Sequence, residues 1–299
     1  PAMPKDHDNP APVRGARALW RALRPQQWVK NLLVFTPLLA AHSTATREYL
    51  LACGVFAAFS LCASAAYVIN DALDRPHDRK HPRKRHRPLA SGALPLAPML
   101  ALAALFAAGG VALAFALAPA AGAWVACYAL ATLAYSLWLK RMLFADVVAL
   151  AVLYTLRVLA GAAAANIAPS GWFLAFAMFL FLALALIKRQ SELADAPAGG
   201  ARGRAYRRGD FEALAALGAA SGFTSVLVLM LYINGEVAAL YARPRWLYLL
   251  CPILFYLLGR MTLLARRGAV GDDPVTFVLR DRVSWLCLAA ALAVMVAAL

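Results

Sequence analysis

The densest chemistry in the chain lies between Asn70 and Gly92, in the stretch NDALDRPHDRKHPRKRHRPLASG. Asp71, Asp74 and Asp78 stand at i, i+3 and i+7, so on a continuing helix they fall within an arc of about 60° and can converge on one cation. Arg79, Lys80, Arg83, Lys84, Arg85 and Arg87 follow at once. Carboxylates for a cation beside cations for phosphate outline a metal-phosphate site, with Asp71, Asp74 and Asp78 at its catalytic centre. The acids also sit at the C-terminal end of their helix, where the helix dipole is negative and disfavours carboxylates, so something positive should compensate them. The alternative is that the neighbouring arginines do so alone, through ordinary salt bridges, and that the stretch is a solvated membrane anchor. Pro76 removes a backbone hydrogen bond to Ala72 and tends to kink or end a helix, which predicts a less secure placement for Asp78 than for Asp71 and Asp74. His77 and His81 have i, i+4 spacing, but Pro76 and Pro82 break the helix that would align them, and no cysteine is near enough to complete a zinc site.

Two further groups carry charge where it costs most. The stretch from Lys188 to Asp210 holds Lys188, Arg189, Glu192 and Asp195, then an Ala-Gly-Gly break, then Tyr206, Arg207, Arg208 and Asp210. Long loops with their own charge pattern are usually functional; this one is expected to fold over the aspartate stretch, the alternative being a plain basic linker. Asp146 and Arg157 lie inside an apolar run, where an ionisable group points to function by default. Eleven residues place them about 20° apart on a helix, so both can line one wall. The competing reading puts Asp146 at the membrane interface and pairs Arg157 with a polar neighbour.

The elements that position these groups follow from composition. With 299 residues, 63% of them hydrophobic, and a mean hydropathy of +0.66, the chain is too apolar for a soluble domain, whose apolar share is nearer about half. An all-α integral membrane protein is expected. A net charge of +15 would suggest nucleic acid in a soluble protein, but here the bases cluster in short gaps between apolar runs, as in membrane proteins, and no nucleic acid partner is expected. A spanning helix needs about 20 apolar residues. Nine are predicted, over 27–45, 49–70, 96–117, 120–139, 143–164, 171–188, 212–233, 244–264 and 282–299. Alternate gaps hold 26 Lys and Arg on one side and three on the other. That asymmetry predicts a cytoplasmic N-terminus, an external C-terminus and cytoplasmic motif-bearing loops. Residues 1–26 are expected to be a cytoplasmic tail and basic interfacial segment, and 27–299 a single nine-helix catalytic bundle. Cys53, Cys62, Cys127, Cys251 and Cys287 show no CxxC spacing and read as reduced core residues. Pro1 and Ala2 ahead of Met3 read as a cloning remnant, with no signal peptide after them.

The aspartate stretch resembles the first aspartate-rich motif of the UbiA prenyltransferase superfamily, whose members are nine-helix membrane enzymes. RPQQWVKN (Arg24 to Asn31), the Asp146 to Arg157 segment, KRQSEL (Lys188 to Leu193) and GDDPVTFVLRDR (Gly271 to Arg282) extend the resemblance. Together they are similar to the branch that transfers phosphoribose to decaprenyl phosphate. The second DxxxD motif of prenyltransferases is replaced here by Lys188, Arg189 and Glu192, a departure that favours a different donor, whereas Pro76 departs from the phosphoribosyl branch. The resemblance implies transfer of 5-phosphoribose from phosphoribosyl pyrophosphate to a polyprenyl phosphate of the bilayer, for cell wall polysaccharide, at the cytoplasmic face of a bacterial inner membrane. It implies Mg²⁺ held by Asn70, Asp71, Asp74 and Asp78. Lys30, Lys84, Arg87, Lys188 and Arg189 would contact phosphates, Glu192 and Tyr206 would orient ribose hydroxyls or a basic partner, and Asn31 and Arg157 would line the substrate cavity. The competing functions are a prenyltransferase using a prenyl diphosphate and an aromatic acceptor, and a transporter, for which no internal repeat is visible. Chain length of the lipid and formation of a homo-oligomer are left open by the sequence.

Overall fold

The computed structural model describes residues 15–80, 84–194, 205–271 and 273–299. The expected tail with Lys5 and Arg14, the loop positions His81 and Arg83, the positions Asp195, Arg202 and Arg204, and Asp272 lie outside the described residues. Among the described residues the chain is all helical: α1 Ala16–Leu23, α2 Thr36–Ala40, α3 Thr46–Asp78, α4 Leu96–Leu117, α5 Pro119–Leu137, α6 Ala145–Ala164, α7 Gly171–Ala194, α8 Phe211–Tyr232, α9 Leu250–Arg266, α10 Pro274–Arg280 and α11 Arg282–Ala298. Helices α3 to α9, the last two counted with their flanking turns, make seven elements long and apolar enough to cross a membrane. The pair α10 and α11, bent by 84°, passes the same test only as one broken span.

The difference from the predicted nine is largest at 27–45. Instead of one α-helix, Pro25–Phe35 forms a 3₁₀ segment that leads into the five-residue α2. Arg24 ends α1 in the left-handed region (φ 50°), Pro25 follows it, and the segment runs between α3 and α6. A Cβ on Gly161 of α6 would stand 1.9 Å from the Val34 carbonyl oxygen, so only glycine admits the segment at this depth. The thinner 3₁₀ coil, rising about 2.0 Å per residue, covers distance with few residues.

Pro76 does not end α3. It lies in the helix's last turn, so the backbone bond it removes leaves only two helical residues beyond it, and Asp78 is buried and bonded to Arg87 rather than loosely placed. The 33 residues of α3 reach about 50 Å, beyond an apolar layer of about 30 Å. Its final turns, with Asp71, Asp74 and Asp78, therefore project past the hydrocarbon. Pro119 at the first position of α5 turns the chain sharply after α4, and Gly110 lets α4 close on α3, since a Cβ there would meet the Ala58 carbonyl oxygen at 2.7 Å. Val34, Leu38, Val55, Phe59, Tyr128 and Leu156 form the central core against which the polar groups are set.

Candidate active site

The end of α3 gathers bases from three other parts of the chain. Arg24 donates from one terminal nitrogen to both carboxylate oxygens of Asp71, at 2.7 and 2.9 Å. Arg87 bridges Asp71 and Asp78 at 3.2 and 2.7 Å. Lys140, between α5 and α6, donates to Asp74 at 2.7 Å and to Asn70 at 3.0 Å, and Asn70 donates to the other oxygen of Asp74. Arg79 closes the following loop by donating to the Ala90 carbonyl. The compensation that the helix dipole demands is thus supplied by Arg87 of the neighbouring basic stretch and by Arg24 and Lys140 from distant segments. Lys84 begins a short exposed 3₁₀ turn beside this group.

A second group lies at the end of α7. Asp146, fully buried in the first turn of α6, where a negative charge suits the dipole, accepts from Tyr206 at 2.5 Å and makes an ion-pair contact of 2.6 Å with Arg189 Nε that is not aligned as a hydrogen bond. Arg189 also donates to Glu192 and to Tyr135. Burial first, and then the bond to Asp146, push the Tyr206 phenol well above its ordinary range, so Tyr206 stays a donor. Its hydroxyl also accepts from the backbone N–H of Phe144, a non-glycine residue at φ 65°. These bonds tie residues 205–210 onto α6 and hold a strained entry to that helix.

Deeper in the bundle, Lys30 donates to Asp273 at 2.9 Å across 243 residues, and both are buried. Burial would push the Asp273 carboxyl up, but the ammonium groups of Lys30 and Lys188 hold it below its ordinary range. Asp273 also caps α10 through Thr276, and the Gly271 carbonyl accepts from Ser191 of α7. Arg157 donates to Asn31 at 2.8 Å, to the Leu153 carbonyl and to Tyr128 at 2.9 Å. Its guanidinium lies over the Tyr128, Tyr154 and Phe59 rings. Arg157 is thus paired with polar neighbours, and it and Asp146 are both buried along α6. Arg157→Met strips partners from buried Asn31 and Tyr128, and an unsatisfied buried polar group costs about 1–3 kcal/mol. A lower midpoint of thermal unfolding in detergent is the expected result.

The predicted residues therefore fall into three connected groups. Asn70, Asp71, Asp74, Asp78 and Arg87 meet at the end of α3, Arg189, Glu192 and Tyr206 at the end of α7, and Lys30, Asn31 and Arg157 below them, with Lys188 near Asp273. Arg189 differs from its expected role: all three of its nitrogens face protein groups, two of them carboxylates, so it supports Glu192 rather than presenting a guanidinium to phosphate. Arg24, Lys140, Tyr135 and Asp273 were not predicted. Arg24 and Asp273 lie inside motifs visible in the sequence, whereas the roles of Lys140 and Tyr135 depend on tertiary contacts alone.

Among the described residues no three Asp, Glu, His or Cys side chains already surround one point as metal ligands. The donor chemistry nonetheless fits a hard cation: three carboxylates and an amide oxygen on successive turns of α3 are the oxygen ligands that Mg²⁺ takes. Each is held by an Arg or Lys side chain with a flexible stem.

The UbiA prenyltransferase family model matches residues 32–280. Nodulation protein NoeC of Azorhizobium caulinodans is 35% identical over 89% of this chain and 88% of its own. The decaprenyl-phosphate phosphoribosyltransferase of Mycolicibacterium smegmatis is 39% identical over 62% of this chain and 59% of its own. Protein y4nM of Sinorhizobium fredii is 35% identical over 88% of this chain, which spans about half, 52%, of that relative's length. The fold matches a UbiA homolog from Archaeoglobus fulgidus bound to DMAPP and Mg²⁺ with a TM-score of 0.70, at 17% identity over 93% of this chain and 98% of that one.

Proposed function

Because this chain belongs to the UbiA prenyltransferase family and is a multi-pass membrane enzyme of that type, we propose that it moves 5-phosphoribose from phosphoribosyl pyrophosphate to a polyprenyl phosphate and releases pyrophosphate. The observation that carries this reading is the end of α7, where Arg189 is enclosed by Asp146, Glu192 and Tyr135. Among the described residues of this group, the carboxylate of Glu192 is partly exposed and that of Asp146 is enclosed. A carboxylate braced by an arginine suits the hydroxyls of a sugar. The relatives that carry the phosphoribosyltransferase name support the same choice of donor.

Asn70, Asp71, Asp74 and Asp78 would hold Mg²⁺. When bound, the ion neutralises the pyrophosphate as it leaves. Arg87, Lys84, Lys30 and Lys188 supply positive charge for the phosphates, Arg by its bidentate fork and Lys as a point charge. Glu192 accepts from ribose hydroxyls, and Tyr206 keeps residues 205–210 against α6. The acceptor phosphate is already anionic, so its oxygen attacks the anomeric carbon without a general base, with inversion there. The test is pyrophosphate release in proteoliposomes. Release is expected only when phosphoribosyl pyrophosphate and a polyprenyl phosphate are both present, and release that ignores either one contradicts the reading.

The excess of Lys and Arg on alternate gaps supports a cytoplasmic N-terminus and a site facing the cytoplasm of a bacterial inner membrane. In a cysteine-free variant, Ser91→Cys and Gly209→Cys should react with membrane-impermeant maleimide only after the cells are opened. Labelling of either in intact cells reverses the orientation and removes access to a cytosolic donor.

A further inference from the structure

Between α5 and α6 lies an apolar groove of about 390 Å³, lined by Ala131, Leu139, Ala145, Val148, Ala149 and Val152. Its upper end is set between the two halves of the site. Leu139 precedes Lys140, which bonds Asp74 and Asn70, and Ala145 precedes Asp146, which bonds Tyr206 and contacts Arg189. From Ala145 to Val152 the groove follows α6 for about 10 Å into the apolar layer. The connector above it, residues 138–144, exposes Trp138, Met142, Leu143 and Phe144 together with Arg141. A connector facing water would not expose four large apolar side chains in seven residues. One that rests in the membrane interface does so, with tryptophan at the headgroup level.

Resting on the proposed transferase activity, we infer that this groove seats the first isoprene units of the polyprenyl phosphate, and that its phosphate enters beneath the connector toward Lys140. The chemistry of the two ends matches that molecule and not an ordinary bilayer lipid. The walls are hydrocarbon throughout, with small side chains that admit a methyl-branched chain. At the head end the chain runs from the lining residue Leu139 into Lys140, whose buried ammonium is engaged with the carboxylate of Asp74, and a phosphate passing beneath the connector would share it. A glycerophospholipid would have to place its glycerol and two ester groups among the apolar side chains, where nothing bonds them.

Photo-crosslinking tests this independently of turnover. A polyprenyl phosphate with a diazirine on its second isoprene unit is irradiated with the purified protein in nanodiscs, and the adducts are mapped by peptide mass spectrometry. Adducts are expected on 131–152, reduced at least ten-fold by excess polyprenyl phosphate but not by phosphatidic acid. They should be lost in Ala149→Trp, and in the milder Ala131→Leu should fall while the thermal midpoint is unchanged. Adducts elsewhere, or equal competition by phosphatidic acid, overturn the groove as the acceptor site. If the adducts appear as expected but no phosphoribose is transferred, the groove stands and the donor assignment fails. If transfer occurs and Ala149→Trp alters neither the adducts nor the KM for polyprenyl phosphate, the groove fails and the transferase stands.

Discussion

Asp74→Asn is expected to lower the rate of phosphoribosyl transfer by about 100- to 1000-fold, the usual cost of removing one electrostatic stabiliser of a transition state. The change keeps the size of the side chain and its hydrogen bond from Asn70, and deletes one negative charge. Asp74 is the most open of the three aspartates, with its side chain 30% exposed against 5% for Asp71, so the substitution tests charge more than packing. Its partner Lys140 would keep its bond to Asn70. If the aspartates hold Mg²⁺, the loss is partly recovered at high Mg²⁺, and the concentration of Mg²⁺ needed for half-maximal activity rises. If they serve only to pair with Arg24, Arg87 and Lys140, the same change alters stability by the 0–1 kcal/mol typical of partly exposed pairs, and activity and Mg²⁺ dependence stay near normal. The same measurement on Asp71→Asn separates the readings again, because Asp71 is bound by two arginines and not by a lysine.

Asp146→Ala is expected to cost about 3 kcal/mol of stability, the lower end of the range for removing one partner of a buried ion pair. Asp146 and Arg189 are almost wholly enclosed, so the guanidinium left behind cannot regain water. Glu192 and Tyr135 still hold it, which keeps the cost from the upper end. Tyr206 loses its acceptor as well, so residues 205–210 should become open to proteolysis at a lower temperature than the bundle. Asp146→Leu combined with Arg189→Met should recover much of the stability, since apolar replacement of a buried pair is often neutral. Recovery of stability without recovery of turnover would show that the pair is kept for the site. A double variant no more stable than Asp146→Ala would mean that packing, not charge, holds this end of α7.

The apolar runs that became α3 to α9 were legible because lipid leaves a helix no partner but itself, and length alone then identifies a span. The 27–45 segment was misread for the converse reason. Its apolar content suits a span, but Pro25, the left-handed Arg24 and the close approach to Gly161 draw it into a 3₁₀ path between α3 and α6, and a glycine 127 residues beyond Val34 leaves no mark on local pattern. The spacing of Asp71, Asp74 and Asp78 announced a charged site because helical periodicity is local. Their partners Arg24 and Lys140 stayed hidden because each comes from another element. Lys30 lies in the RPQQWVKN motif and Asp273 in a second one, and their bond across 243 residues leaves no mark on either. Asp78 shows the limit of a rule applied without position. A proline in the middle of α3 would have broken it, but one in the last turn leaves Asp78 bonded to Arg87.

The central claim, that the donated group is phosphoribose, is tested most directly by mass spectrometry of the lipid product. The purified protein in proteoliposomes is given Mg²⁺, a polyprenyl phosphate and an equimolar mixture of phosphoribosyl pyrophosphate and dimethylallyl diphosphate, with an aromatic acceptor present. The account predicts a lipid heavier by one phosphoribose, formed with one pyrophosphate per transfer, and an unchanged aromatic acceptor. A prenylated aromatic product, with the polyprenyl phosphate unchanged, would contradict it.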